Sequence, residues 1–371
     1  NAEAHVNLGN LLKDLGKFHD AEDNYRVAIQ LKPSFDAAHR NLGMLLKACG
    51  KHTDSIKSFE TAIACNPSFA EAHNDLGNAL SQLGQPEKAI ASYRAAIRCD
   101  PDYEGAHSNL LLTLNYAQGM KPPTMLMEAE RYGAMVSRKA EDKFTSWATE
   151  SKTAPLRIGF VSGDMKNHPV GFMVEGLLRH INKNQIEVVA FPTKTETDDL
   201  TDRIKPLFCS WVPLDGESNY ELAKTIYRQN IQILFDLSGH TAHNALPIFA
   251  HKPAPIQVSW FGYFATTGLP EMDYLLGDPV VTPVEEADHL LEKQWQLPET
   301  YFCSQPPNID MPVGSLPALE NEFVTFGCFN NLVKVNASVI ELWASILQRI
   351  PRAKLYLKTF QLTDRQLKNR I

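Results

Sequence analysis

Three short loops of this chain concentrate side chains able to move protons or meet negative charge. Ser162-Gly163-Asp164-Met165-Lys166-Asn167-His168-Pro169 follows an apolar run at 156–161, and Ser238-Gly239-His240-Thr241 follows one at 231–237. Cys328-Phe329-Asn330-Asn331-Leu332-Val333-Lys334 comes after a third, at 323–326. An imidazole can take or give the proton of a reacting hydroxyl. An ammonium group stabilises charge that builds on an anionic leaving group. A lone loop histidine is more often structural than catalytic. Two histidines and a lysine, each just beyond an apolar run, make His168, His240 and Lys334 candidates for chemistry.

The elements that must position these loops follow from the pattern of apolar runs. From residue 156 onward such runs recur at 156–161, 186–191, 231–237, 256–260, 272–276, 323–326 and 354–357. Amphipathic stretches at 174–181, 220–229 and 339–349 lie between them. Strands alternating with helices predict parallel βαβ units and a doubly wound sheet. In such sheets ligands bind beyond the carboxyl ends of the strands, where the three loops fall.

Ahead of this region the grammar is different. Ala4-His5, Ala38-His39, Ala72-His73 and Ala106-His107 recur at intervals of 34 residues. That period marks tetratricopeptide (TPR) units, pairs of antiparallel helices stacked in series. Gly9, Gly43 and Gly77 predict close helix approach, with Tyr25, Phe59 and Tyr93 filling the space between helices. Gly16, Gly50 and Gly84 mark the turns, and Pro33, Pro67 and Pro101 end each second helix. Three units and a partial fourth, with Leu110 and Leu114 in its first helix, cover residues 1–116. One position of each first helix carries Asn7, Asn41, Asp75 and Asn109. Such a ladder can hydrogen-bond an extended peptide backbone without reading its side chains, so these four are the peptide-binding candidates. One histidine per unit is too widely spaced for a shared metal ion, and packing between units is the expected role. Residues 117–155 read as a transition: Pro122-Pro123, a helix near 124–140, and a linker at 151–155.

The 371 residues, 44% hydrophobic and 21% charged with net charge −7, suit a soluble protein of several domains rather than a dedicated nucleic-acid binder. No apolar run reaches the roughly 18 residues a membrane helix needs. Six cysteines without a CxxC pair predict free thiols in a reducing compartment, and the expected location is cytoplasmic.

Several longer segments carry a family resemblance. They are His168-Pro169, Asp236-Leu237-Ser238-Gly239-His240-Thr241, and Lys252-Pro253-Ala254-Pro255-Ile256-Gln257-Val258. The last runs on through Trp260, Gly262-Tyr263, Thr266-Thr267-Gly268-Leu269, Met272-Asp273-Tyr274 and Asp278. Phe323-Val324-Thr325-Phe326-Gly327 then leads into Asn330-Asn331 and Lys334. With the repeats, these segments resemble the protein O-GlcNAc transferase and SPINDLY family of nucleotide-sugar glycosyltransferases along essentially the whole chain. The resemblance implies an all-α TPR superhelix followed by an α/β catalytic region of two Rossmann-like lobes (GT-B). The first lobe is expected at 156–320 and the start of an incomplete second, donor-binding lobe at 321–371. It implies transfer of GlcNAc from UDP-GlcNAc to Ser or Thr of proteins held in the TPR groove. A protein O-fucosyltransferase using GDP-fucose and a non-catalytic TPR scaffold are the alternatives.

By the same resemblance, His168 faces the reacting centre and Lys334 binds the donor diphosphate. Asn331, His240 and Thr241 also bind donor, while Tyr263, Thr266 and Thr267 line the cleft. No Asp-x-Asp follows a strand, which fits a transferase with no metal and no cofactor beyond its donor substrate. Two residues depart from the family pattern, Phe264 in place of Pro and Ala245 in place of a basic residue. With the later donor-binding segments missing after Ile371, these residues alone are expected to be inactive.

Overall fold

The computed structural model describes residues 1–148, 155–216, 218–303, 311–363 and 368. The chain forms two compact units, residues 1–118 with 310–371, and residues 119–309.

The first unit begins with seven helices: α1 (Ala2–Asp14), α2 (Phe18–Leu31), α3 (Asp36–Ala48), α4 (His52–Cys65), α5 (Ala70–Gln82), α6 (Pro86–Cys99) and α7 (Glu104–Leu114). They pack as the period requires, three antiparallel pairs and one further first helix. A Cβ on Gly9, Gly43 or Gly77 would lie 2.6, 2.7 or 2.5 Å from the ring of Tyr25, Phe59 or Tyr93. Each aromatic ring therefore occupies the space its glycine leaves, and all three are buried. The repeated histidines serve the joints. His39, His73 and His107 each hydrogen-bond through Nε2 to the carbonyl of Pro33, Pro67 or Pro101, at 2.9, 3.0 and 3.0 Å. Each thereby ties the start of a first helix to the turn that precedes it.

The second unit opens with α8 (Pro122–Lys139), which starts at the proline pair because proline suits the first helical turn. A seven-stranded sheet follows: β1 (Leu156–Ser162), α9 (Pro169–Leu178), β2 (Ile186–Pro192), α10 (Asp199–Ile204), β3 (Ser210–Trp211), α11 (Asn219–Tyr227), β4 (Ile233–Asp236), α12 (Leu246–Phe249), β5 (Ile256–Ser259), β6 (Tyr274–Gly277) and β7 (Lys293–Gln296). The strand order is β3-β2-β1-β4-β5-β6-β7, and every pairing is parallel. Phe160, Val188, Phe235, Val258 and Trp260 form its core with Val174 and Leu200 from the helices. Each such side chain contributes about 1.5–3 kcal/mol by burial.

The remaining elements, α13 (Pro317–Asn321), β8 (Thr325–Cys328), α14 (Ala337–Arg349) and β9 (Lys354–Leu357), group with the repeats. β8 and β9 pair in parallel around α14, a single βαβ passage. Leu332 packs on Leu83 of the third repeat, with Ile56, Val335 and Leu362 around them. Gly84 is required there twice over. Its φ is +66°, and a Cβ would lie 2.9 Å from the Leu332 carbonyl oxygen.

The domain limits thus differ from those read in the sequence. The transitional helix is part of the α/β unit, and the second-lobe segment clusters with the repeats. Residues 151–154 of the expected linker lie outside the described residues. β3 and β7 carried no apolar signal because both are edge strands, one two residues long and the other only half covered.

Candidate active site

β1 is flanked by β2 on one side and β4 on the other, so the strand order reverses between β1 and β4. Loops at that switch point form the ligand crevice of an open α/β sheet. The loop after β1 is built tightly. The Ser162 hydroxyl accepts the Asp164 N–H at 3.0 Å, and a Cβ on Gly171 would fall 2.2 Å from the Lys166 carbonyl oxygen. Asp198, the N-cap of α10, accepts the Asn167 N–H at 2.6 Å, and the Thr201 hydroxyl donates to the Met165 carbonyl at 2.9 Å. These anchors leave His168 as the N-cap of α9, its side chain 43% exposed.

The histidine's own contacts fix its chemistry. Nδ1 accepts the Val170 N–H at 3.3 Å, and Asp164 Oδ2 lies 3.7 Å from the same nitrogen. Val170 donating to Nδ1 places the proton of the neutral ring on Nε2. In this state the exposed Nε2 offers a hydrogen-bond donor.

His240 lies elsewhere than expected. It is 1% exposed, its Nε2–H donates to the Thr267 carbonyl at 3.0 Å, and its ring stands edge-on to Tyr132 at 4.7 Å and Tyr263 at 5.2 Å. The Thr241 hydroxyl is committed to the Ser238 carbonyl at 2.7 Å. Tyr263, Thr266 and Thr267 are buried too. The Thr266 hydroxyl and the Thr267 N–H each donate to the Glu292 carboxylate at 2.7 Å, and the Thr267 hydroxyl also bonds it. The side-chain polar groups of His240, Thr241, Thr266 and Thr267 are thus engaged in bonds within the protein. They knit the β4 loop and the Thr-Thr-Gly-Leu loop onto α8 beneath the site. Backbone contact explains the glycines of that joint. A Cβ on Gly133 would lie 1.7 Å from the Gly268 carbonyl oxygen, and one on Gly268 would lie 2.1 Å from that of Ala129.

Asp236, at the end of β4, is fully buried and accepts the N–H groups of Ser238 at 3.2 Å and Gly239 at 2.7 Å. Burial pushes its carboxyl up to about 7 despite those two bonds, and the charge of Glu292 adds to the rise. Burial likewise raises Glu292, against the pull of Thr267 and Thr266. Ala245 is buried at the start of α12, whereas Phe264 is 50% exposed.

Lys334 is exposed on the short turn Leu332–Lys334, in the unit that holds the repeats. Asn331 Oδ1 is occupied twice, by the Val333 N–H at 3.1 Å and the Gln361 amide at 2.6 Å. That oxygen fixes the turn presenting Lys334. In the repeats the ladder mostly joins one unit to the next. Asn41 donates to Asn10 at 3.1 Å, Asn109 to Asn74 at 2.9 Å, and Arg40 Nε to Asp75 at 2.7 Å. Asp75 is buried, and that burial raises its pKa even against the Arg40 charge. Asn7 stays exposed.

A model of glycosyl transferase family 41 matches residues 132–311, and tetratricopeptide models match 2–35 and 42–104. The fold also superposes on a lysine-to-methionine variant of the Thermobaculum terrenum O-GlcNAc transferase. The TM-score is 0.87 and the identity 32%, over 100% of this chain and 70% of that one. The chain belongs to glycosyltransferase family 41. Similar members include a probable UDP-N-acetylglucosamine–peptide N-acetylglucosaminyltransferase SPINDLY of Arabidopsis thaliana, 35% identical over 67% of this chain. The Oryza sativa protein of that name is 36% identical over 67%. The chain spans 28% and 27% of the lengths of these two relatives. Within the family-41 region, sequence reasoning passed over Lys166, Lys194, Lys205 and His243. Lys166 follows β1, Lys194 and Lys205 lie between β2 and β3, and His243 follows β4, so only the sheet order makes them neighbours.

Proposed function

We propose that this family 41 protein transfers GlcNAc from UDP-GlcNAc to Ser or Thr hydroxyls of proteins bound by its repeats. The observation that carries the reading is His168, half exposed at the switch point of a doubly wound sheet and oriented by the α9 N-terminus. In the reaction the acceptor oxygen bonds to the anomeric carbon as the sugar–phosphate bond breaks. Nucleoside diphosphate leaves, and the acceptor proton passes to solvent or to that leaving group. His168, donating through Nε2, orients an oxygen at the reacting centre. Lys334 supplies the ammonium that stabilises the diphosphate.

Family membership and the names of the relatives support this donor. The SPINDLY proteins match over 67% of the chain, whereas the Arabidopsis thaliana SEC protein matches over 55% at 33% identity. This lean keeps GDP-fucose as the second donor to try. Incubation of the protein with acceptor peptide and each radiolabelled donor tests both readings. Label in peptide from UDP-GlcNAc supports the first and label from GDP-fucose the second. Label from neither, with peptide still bound, would leave a scaffold.

A further inference from the structure

The carboxyl ends of β1, β2 and β3 enclose a cavity distinct from the His168 side of the loop. Its walls include Gly163, Lys166, Lys194, Thr195, Lys205 and Trp211. Three ammonium groups from three separate stretches of chain meet there. Lys166 pairs at 2.9 Å with Glu196, itself a lining residue with a side chain 72% exposed. Lys205 lies 5.9 Å from the centre of the Trp211 ring. Neither the Lys194 nor the Lys205 ammonium has a hydrogen bond or close ion pair among the described residues.

Of the nearby acids, Glu196 feels the charge of both Lys166 and Lys194. Asp198 is taken up by the backbone N–H groups of Asn167 at 2.6 Å and Thr201 at 3.0 Å, and Asp164 stands beside His168. Above the cavity, His243 is held by its backbone: the Thr193 hydroxyl donates to its carbonyl at 3.0 Å. Burial lowers the His243 pKa, and the Lys194 charge lowers it further, so Lys194 adds positive potential at this face.

We propose that this cavity is an acceptor subsite that takes an anionic side chain of the polypeptide being modified. The proposal rests on the transferase reading, because Lys166 stands two residues before His168 on one loop. Glu196 shows the occupant's chemistry. A carboxylate borne on polypeptide already sits on Lys166, and its exposure lets an incoming anion displace it. Lys194 and Lys205, both exposed at the cavity, then meet the new charge with charge-assisted hydrogen bonds. A glutamate and a phosphorylated serine share the required chemistry.

The test uses fluorescein-labelled peptides identical except for one position near the acceptor serine, occupied by Glu, phosphoserine or Gln. Binding is read by anisotropy on the intact protein, the Lys194→Met/Lys205→Met double variant and Glu196→Gln, with circular dichroism confirming folding. The native protein should bind the Glu or phosphoserine peptide about five- to tenfold more tightly than the Gln peptide. The double variant should reduce that ratio to near one, and Glu196→Gln should raise it two- to threefold. A tighter phosphoserine peptide assigns the cavity to phosphorylated acceptors, and a tighter Glu peptide to carboxylates. Equal binding of all three peptides, or a preference untouched by the double variant, overturns the proposal. Lysine-dependent preference without transfer of any sugar would retain the cavity and remove the transferase reading. Equal transfer to Glu and Gln peptides would do the reverse.

Discussion

The repeats and the α/β unit use the same polar residue types for opposite ends. In the repeats, histidines and amides recur every 34 residues and bond across one joint to the neighbouring unit. In the α/β unit, His168 and His240 follow similar strands yet end up half exposed and fully buried. Periodicity tells what a repeated residue does because each copy meets the same surroundings. Strand-end loops offer no such control, and their residues are sorted by what packs beneath them.

Substitutions that press on this contrast differ in size. Gly133→Ala should be the most damaging, since its Cβ would meet the backbone of Gly268 at 1.7 Å, which cannot rotate away. We expect a loss of about 3 kcal/mol or more in the α/β unit by thermal or urea unfolding. Gly16→Ala, whose only penalty is its positive φ with nothing within 4 Å, should lose about 1 kcal/mol. Equal losses would break the distinction between packing and turn glycines.

The two histidines should separate next. His240→Ala removes a buried ring and leaves the Thr267 carbonyl unsatisfied, a loss of about 2–3 kcal/mol. His168→Ala should change stability by under about 1 kcal/mol, the value of a weak N-cap. A destabilisation of similar size at both sites would contradict the assignment of one to scaffold and the other to site.

In the repeats, Arg40→Ala strands a buried carboxylate and should lose about 2–3 kcal/mol, less than a fully buried pair because Arg40 is partly exposed. Asp75→Asn restores the amide of the other units and should be near neutral. If calorimetry ranks them the other way, the joint is not an ion-pair clasp.

A further effect concerns pH. Asp236 binds its proton more tightly in the folded state, so folding takes up protons between its ordinary value of 3.8 and about 7. Its contribution to stability therefore falls as pH rises through that window. Asp236→Asn should flatten the decline in Tm between pH 5 and pH 8, and an unchanged slope would refute the assignment.

How far the sequence disclosed all this varied with the element. The repeats were legible to the residue because glycine, aromatic and proline recur in register. The central strands were visible as apolar runs, whereas β3 and β7 were hidden by their half-exposed edges. His168 could be singled out because it lies on the loop that follows β1. The burial of His240, Thr266 and Thr267 was not legible, because their neighbours Tyr132 and Glu292 are remote in sequence. The lysine cavity was invisible for the same reason, as three strand ends had to be brought side by side.

One measurement bears most directly on the central claim that His168 serves chemistry from a scaffold it does not support. Native protein and His168→Ala are each given radiolabelled UDP-GlcNAc and acceptor peptide, with thermal unfolding recorded on the same samples. The account predicts that transfer falls at least a hundredfold in the variant while Tm and peptide affinity stay unchanged. Undiminished transfer, or a loss that follows a lowered Tm, would contradict it.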